Sequence, residues 1–322
     1  MTRLVIVGAG AIGGAVAARL AEADVDVTVV ARGPHAAAIA SDGLVLAEPT
    51  RTVTISVPVA RSVGEAAIDA STIVVLAVKS QDTALVLEEL VRCAPAETPV
   101  ACFQNGVINE RVVAARFPRT YGVVVMMPAA HLEAGRVEAY ASPIPGLFDV
   151  GLADGGVDDV ARELAGILGR GGFDARAVPN VMRWKYTKLL MNVGNAVEAM
   201  CGLDDAGIEL VGRARSEAIE CFQAAAIDFA SSAQEKERRA DLLQVGVIDG
   251  SGRGGGSSWQ SLARGLGSIE ADALNGEVVR VGAPVDLPTP VNALVLRRAT
   301  VAAADRVPPG SIPAADLLAY LS

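Results

Sequence analysis

The sequence predicts an α/β fold in its first half, a doubly wound parallel sheet, followed by an all-α C-terminal domain. Three observations predict it. Short apolar runs rich in Val and Ile alternate with helix-length stretches, the pattern of parallel strands joined by helical crossovers and covered on both faces. A glycine-rich turn follows the first apolar run directly. After Pro179-Asn180 the period-two alternation disappears and helical periodicity takes over, which divides the chain into residues 1–179 and 180–322.

In order, residues 4–7 form a short buried strand, 11–23 a helix, and 25–31 a second strand. Further strands are expected at 72–78, 99–103 and 120–126, separated by helices at 82–93 and 109–117. The alternating run 52–57 is an added edge or hairpin piece. Residues 135–151 read as antiparallel strands, 157–169 as a helix and 173–178 as a closing strand. In the second half the expected helices are 181–200, 206–231, 258–281 and 288–304. The run Gly250-Ser251-Gly252-Arg253-Gly254-Gly255-Gly256 is a flexible loop by composition.

Composition narrows the function. Of 322 residues 51% are hydrophobic, mainly Ala, Val and Leu, but only 4% are aromatic, which suits small-residue helices packed closely on short strands. The net charge of −9, with Arg and Lys scattered, excludes a phosphate-backbone surface and so a nucleic-acid partner. Cys93, Cys102, Cys201 and Cys221 show no paired spacing and His35 and His131 are far apart in sequence, so neither a metal site nor a disulfide framework is expected. The thiols are read as reduced and mostly buried. A strand begins at Arg3 with no charged and apolar leader before it, and no apolar run approaches a membrane span. A soluble cytoplasmic protein is the expectation.

The turn reads Gly8-Ala9-Gly10-Ala11-Ile12-Gly13. A lone GxGxxG says little, but here it ends a strand and opens a helix, the context of a Rossmann-type dinucleotide site. Gly8 permits the tight turn, Gly10 lets the backbone approach a pyrophosphate, and Gly13 lets helix and strand pack closely. The helix N-terminus offers free amides and a positive dipole end to phosphate. The second strand ends Val29-Val30-Ala31-Arg32-Gly33, with no carboxylate for a ribose 2′-OH and an arginine able to fork onto a 2′-phosphate. NADP(H) is therefore the expected cofactor. Lys79 ends the strand 72–78, where ligands of such sheets gather, and adds positive charge near the adenosine phosphate.

A second set of polar residues begins at Lys188. With Asn192 and Asn195 it stands at i, i+4 and i+7 of the helix expected over 181–200, on one narrow face. Leu189, Leu190, Val193, Ala196, Val197 and Met200 cover the other faces, so the stripe is expected to face a cleft. Hydride addition to a ketone puts negative charge on oxygen, which an ammonium can stabilise and protonate while neighbouring amides hold the substrate. Asn105, in Gln104-Asn105-Gly106, follows the strand 99–103 at the carboxyl edge of the sheet, where the nicotinamide end arrives; Asn-Gly is also a strong turn former.

Taken in order, the glycine turn, Arg32, Lys79, Asn105-Gly106, Trp184…Lys188…Asn192 and Ser258…Glu270…Asn275-Gly276 resemble the ketopantoate reductase (2-dehydropantoate 2-reductase) family through nearly the whole chain. The resemblance implies a Rossmann domain paired with a helical domain, and NADPH-dependent reduction of a 2-oxo acid in the cleft between them. It implies that Lys188 is the general acid. Asn105, Asn192 and Ser258 match substrate-contacting positions, and Glu270 a carboxylate at the nicotinamide and substrate end. A carboxylate near Lys188 would hold the amine charged and oriented. The family's second asparagine falls where this chain has Ala196, and Asn195, one residue earlier, is the expected stand-in.

The leading expectation is thus reduction of ketopantoate to pantoate, with Lys188 and Glu270 catalytic. Asn105, Asn192, Asn195 and Ser258 contact the substrate, and Gly8 to Gly13, Arg32, Lys79, Asn105 and Glu270 contact the cofactor. The alternatives are a reductase of another branched 2-oxo acid or of an imine derived from one, and a non-catalytic NADP-sensing protein. The expected partners are a small-molecule 2-oxo acid and, through the apolar surface of the helical half, a second copy of the chain.

Overall fold

The computed structural model describes residues 2–321. They form two compact units. The first takes in the described residues up to Gln104, then Asn109–Met182 and Ser232–Arg253. The second takes in Asn105–Ile108, Arg183–Ser231 and the described residues from Gly254 onward.

The chain opens with β1 (Arg3–Val7), α1 (Ala11–Glu22), β2 (Val27–Val30), α2 (Gly33–Asp42), β3 (Leu44–Glu48), β4 (Arg51–Ile55) and β5 (Val59–Ala60). Next come β6 (Thr72–Leu76), α3 (Thr83–Cys93), β7 (Val100–Cys102), α4 (Ile108–Ala114) and β8 (Thr120–Met126). They are followed by β9 (Ala129–Ala130), β10 (Arg136–Ala139), β11 (Ala141–Pro143), β12 (Leu147–Leu152), α5 (Asp159–Arg170) and β13 (Asp174–Ala177). The remainder comprises α6 (Val181–Asn192), α7 (Asn195–Cys201), α8 (Asp205–Ala224), α9 (Ser232–Arg239) and β14 (Leu243–Val245). It ends with α10 (Ser257–Ala263), α11 (Ala271–Gly282), α12 (Pro290–Ala304) and α13 (Ala314–Ala319).

The main sheet of the first unit has the order β13-β12-β8-β7-β6-β1-β2-β5 and is parallel from β8 to β5. Only β12 and β13 run the other way, β12 pairing antiparallel with β8. Strand side chains alternate between faces. Leu4 and Ile6 pack with Val16 of α1 and Leu164 of α5, while Val5 and Val7 pack with Val86 and Leu90 of α3 and Val113 of α4. The expected doubly wound sheet is therefore present. Val7 lies beside Val30 and Leu76, and Leu76 beside Cys102, so Gly8, Ala31, Ala77 and Phe103 leave the sheet together at its carboxyl edge.

A smaller sheet, β4-β3-β10-β9, covers α1. The 52–57 piece is one arm of a β3–β4 hairpin, and β3 itself carries no alternation strong enough to expose it in the sequence. Residues 135–151 are antiparallel where β12 meets β8 and where β10 meets β9, but β10 also runs parallel to β3. That pairing is remote in sequence, so no local pattern reports it.

Ser232–Arg253 falls beyond the boundary expected at residue 179 yet packs with the first unit. The cause is charge burial. Asp149 on β12 is 4% exposed and needs a cation, and Arg238 on α9 supplies it at 2.7 Å while reaching Asp174 at 3.0 Å. Nearby, β14 pairs antiparallel with β11.

The regular elements of the second unit are helical, with α11 and α12 packed on each other and both on α8. Two expected helices are split. Residues 181–200 form α6 and α7 with a break at Val193-Gly194. A Cβ on Gly194 would lie 2.8 Å from Val211 Cγ1, so α8 comes too close for any side chain there. Residues 258–281 form α10 and α11, because Gly265 (φ +60°) and Gly267 (φ +72°) end the first helix in the left-handed region. The helix expected over 206–231 ends at Ala224. The glycine-rich loop is only partly free: a Cβ on Gly254 or Gly255 would meet the Trp259 ring within 3 Å.

No helix among the described residues is long and apolar enough to cross a membrane. No disulfide joins the four cysteines among the described residues; Cys102 and Cys221 are buried and the other two partly so.

Candidate functional site

The glycine turn divides its work as its spacing suggests. Gly8 has φ +104°, and a Cβ there would lie 2.8 Å from the Val78 amide nitrogen. A Cβ on Gly13 would run into the Gly8 carbonyl and stand 2.8 Å from Ala77 Cβ, so α1 rests directly on the strand ends. Gly10 differs: a Cβ there would have no neighbour within 4 Å. Gly10 is also the N-cap of α1, no side chain caps the helix amides, and no acidic residue sits in its first turn. The result is an open, positively polarised helix end above a backbone with no side chain.

Arg32 and Lys79 flank this turn, at the ends of the two strands beside β1. Arg32 is the N-cap of α2, its side chain 65% exposed, and its Nη2 donates to Glu89 Oε2 at 3.2 Å. Glu89 is itself fixed, since its other oxygen accepts from the Val63 amide at 2.8 Å and the Gly64 amide at 3.4 Å. Lys79 precedes a single 3-10 turn at Ser80–Asp82 and is partly buried. No carboxylate occupies the end of β2 itself.

Sequence reasoning missed a histidine pair. His35 and His131, distant along the chain, stack with ring centroids 4.1 Å apart. His35 lies in the first turn of α2. Its Nε2 is 2.7 Å from the Ala9 carbonyl oxygen of the glycine turn, and its Nδ1 accepts from the Gly135 amide at 2.8 Å. The signal available was the helix start Gly33-Pro34, which puts residue 35 within one turn of Arg32.

In the second unit, α6 is anchored along one side. Tyr186 meets the Phe222 ring edge-on at 5.2 Å, Thr187 Oγ1 accepts from the Ala230 amide at 2.7 Å, and Arg183 pairs with Asp228 at 3.0 Å. Helical periodicity puts Lys185, Lys188 and Asn192 on the opposite face. Lys188 and Asn192 are partly buried; Lys185 is 3% exposed. Asn195 stands on a separate helix from Lys188 and Asn192. The break at Val193-Gly194 makes it the first residue of α7, while Ala196 is fully buried.

The helix break exposes polar backbone that the fold satisfies with Asn275, a residue the sequence singled out without giving it a role. Asn275 Nδ2 donates to the Val193 carbonyl at 2.9 Å and to Asn292 Oδ1 at 2.9 Å. Asn292 in turn donates to the Ala214 carbonyl and to Glu217. Asn275 thus acts as a strut between α11, α12 and the α6–α7 break.

The remaining expected residues lie on neighbouring elements of the same unit. Ser258, on α10, packs beside α7, where the Glu198 carboxylate accepts from the Gly256 amide at 3.4 Å. Its Oγ is buried without a hydrogen-bond partner among the described residues. Glu270 is the N-cap of α11 and is buried. Asn105 precedes Gly106 (φ +78°), where a Cβ would lie 2.7 Å from the Ala273 carbonyl oxygen. The Asn-Gly turn therefore closes on the first turn of α11.

Family models match along the same course. "Ketopantoate reductase PanE/ApbA" matches residues 4–153 and "Ketopantoate reductase PanE/ApbA C terminal" residues 180–302. The chain belongs to the ketopantoate reductase family. It is an oxidoreductase of the 2-dehydropantoate 2-reductase kind, acting on CH–OH groups. A 2-dehydropantoate 2-reductase of Pyrococcus horikoshii is 27% identical over 301 residues, covering 91% of this chain and 95% of the relative. One of Archaeoglobus fulgidus is 29% identical over 304 residues with the same coverage. Among solved structures, a PanE/ApbA family ketopantoate reductase from Ralstonia eutropha JMP134 has a TM-score of 0.78 at 23% identity, covering 95% of this chain and 99% of that one. A ternary structure of D-mandelate dehydrogenase with NADH and anilino(oxo)acetate has a TM-score of 0.79 at 20% identity, covering 94% and 99%. At these identities the structural likeness speaks for the fold that this family shares.

Proposed function

We propose that this ketopantoate reductase family member reduces a 2-oxo acid with NADPH, and that 2-dehydropantoate, reduced to pantoate, is its substrate. The observation that carries the reading is the glycine turn, open at Gly10 and uncapped at α1, with Arg32 and no acidic residue among those that end β2. Those residues fit a dinucleotide: the α1 amides take the pyrophosphate, Arg32 the 2′-phosphate, and Lys79 adds charge beside it.

When bound, the nicotinamide supplies a hydride to the keto carbon. The rest falls to the chain. Lys188 holds an ammonium toward the carbonyl oxygen, stabilises the charge that gathers there and gives up its proton to form the hydroxyl. Glu270 keeps that amine charged and stands at the nicotinamide end. Asn105, Asn192 and the Ser258 hydroxyl orient the substrate's oxygens.

The test is dinucleotide oxidation across a panel of 2-oxo acids, with NADPH and NADH, for the wild type and Lys188→Ala. NADPH is expected to be preferred, and Lys188→Ala to lose at least about a hundredfold in kcat, the ordinary worth of a general acid, while still binding NADPH. Unchanged turnover in Lys188→Ala moves the role to Lys185, one turn earlier on the same face.

A second reading, reduction of another branched or aryl 2-oxo acid, has its own support. The break before α7 puts Asn195 on a different helix from Lys188 and Asn192, and Ala196 is buried, so the second amide expected on that stripe has its own support. It fails if ketopantoate gives by far the highest kcat/KM in the panel.

A further inference from the structure

We propose that His35 is a positioning residue for the dinucleotide: by holding the Ala9 carbonyl it sets the Ala9–Gly10 peptide of the phosphate turn before any ligand arrives. The inference rests on the dinucleotide reading above and adds a residue to it.

The two hydrogen bonds allow one arrangement of ring protons. The Ala9 carbonyl only accepts, so Nε2 carries the proton and donates across 2.7 Å. The Gly135 amide only donates, so Nδ1 is bare and accepts across 2.8 Å. His35 is therefore the neutral Nε2–H tautomer. The ring is backed by His131 at 4.1 Å. Its partner Gly135 is equally built in, with φ +78° and room for no Cβ, since one would stand 2.9 Å from Ala38 Cβ on α2. Gly135 also accepts from the Val45 amide at 2.9 Å. One imidazole thus ties the phosphate turn to α2 and to the small sheet.

The consequence for ligand binding follows from peptide geometry. In a trans peptide the C=O and N–H point in opposite directions. With the Ala9 oxygen turned to His35, the Gly10 N–H is turned away from it, at the residue whose Cβ position is open. A peptide free to rotate would have to be ordered by the ligand, and ordering it in advance removes that cost from binding. Arg32, three residues earlier, answers to the 2′-phosphate; His35 answers to the backbone under the pyrophosphate.

Two substitutions separate this role from a merely structural one. His35→Asn puts an amide at the Nδ1 position, keeping an acceptor for Gly135 but losing the reach to Ala9. His35→Gln puts its amide at the Nε2 position, keeping the donor to Ala9 and releasing Gly135. The full chain is titrated with NADPH by nicotinamide fluorescence and with 2′-AMP, which lacks the pyrophosphate, by displacement, and thermal unfolding is followed for each variant. His35→Asn is expected to weaken NADPH about 3- to 10-fold, the worth of one neutral hydrogen bond, and to leave 2′-AMP within about twofold. His35→Gln is expected to bind NADPH nearly as the wild type does, whatever its Tm. Wild-type NADPH affinity in His35→Asn, an equal loss on 2′-AMP, or NADPH losses in both variants that track their Tm, overturns the inference. A wild type that binds neither NADPH nor NADH removes the dinucleotide reading, and this inference with it.

Discussion

Replacing the three glycines of the phosphate turn by alanine, one at a time, separates the fold from the ligand site. Gly8→Ala forces an L residue to φ +104° and drives a methyl to 2.8 Å from the Val78 backbone nitrogen. Strain of that kind together with the clash costs about 2–4 kcal/mol. At roughly 3 °C per kcal/mol for a unit of this size, Tm falls by about 6–12 °C. Gly13→Ala gains helix propensity, about 1 kcal/mol, but pushes a methyl into the Gly8 carbonyl and toward Ala77 Cβ. The overpacking outweighs the gain, and Tm falls here too. Gly10→Ala meets neither penalty, because its φ of −70° and ψ of −161° suit alanine and nothing lies within 4 Å of the new methyl. Its stability is expected within about 0.5 kcal/mol of the wild type. NADPH affinity is expected to fall at least about tenfold, because the methyl occupies the space a pyrophosphate must enter. Thermal unfolding and an NADPH fluorescence titration read both quantities on the same samples. A Gly10→Ala protein as unstable as Gly8→Ala, or one that binds NADPH normally, refutes this division of labour.

Three further outcomes are expected. Arg32→Ala should weaken NADPH about 5- to 30-fold relative to NADH, a charged hydrogen bond reduced by the exposure of the guanidinium, and Glu89→Gln should shift the same ratio toward NADPH by releasing Arg32; equal losses for both cofactors in Arg32→Ala would contradict the 2′-phosphate role. Asn275→Ala should cost about 2–4 kcal/mol by stranding the Val193 carbonyl and Asn292 Oδ1. Asn275→Asp, which has the same shape but no donors at neutral pH, should cost at least as much, and a milder effect in thermal unfolding would make the cavity, not the hydrogen bonds, responsible. Burial pushes the Cys201 thiol up to about 11, so its reactive thiolate forms only as pH rises toward that value. Alkylation at Cys201, followed by mass spectrometry, should rise about tenfold per pH unit from 8 to 10, and labelling at pH 8 as fast as free cysteine would show the site to be open.

What the sequence made legible was local. The turn Gly8 to Gly13 shows its build in its spacing, because the glycines fall between one strand and the helix that follows it. Arg32 was placed for the same reason, one residue beyond a strand. Its partner Glu89 was not, since nothing in α3 marks which of its carboxylates reaches back to the end of β2. His35 and His131 stack only because the small sheet folds over α1, and that sheet depends on a parallel β3–β10 pairing without a local signature. The helix break at Val193-Gly194 was hidden in another way. The apolar positions keep helical spacing through Leu190, Val193, Val197 and Met200, so periodicity alone runs straight across it, and only the approach of Val211 to Gly194 shows why it forms.

The break changes how the residues proposed for the substrate should be understood. Read as one helix, Lys188, Asn192 and Asn195 would move as a rigid stripe, and a substitution at any of them would disturb all three. The structure puts them on two helices with different supports. Lys188 and Asn192 depend on α6, anchored through Thr187 and Tyr186. Asn195 belongs with α7, which packs on the Ser258 helix and carries the Glu198 carboxylate that meets the Gly256 amide. Asn275 joins the two at a single carbonyl. A fold arranged this way keeps Lys188, the proposed proton donor, on one element and lets the contacts of α7 and α10 vary on another. The departure at Ala196 then lies beyond the break, and it leaves the element that carries Lys188 as it was.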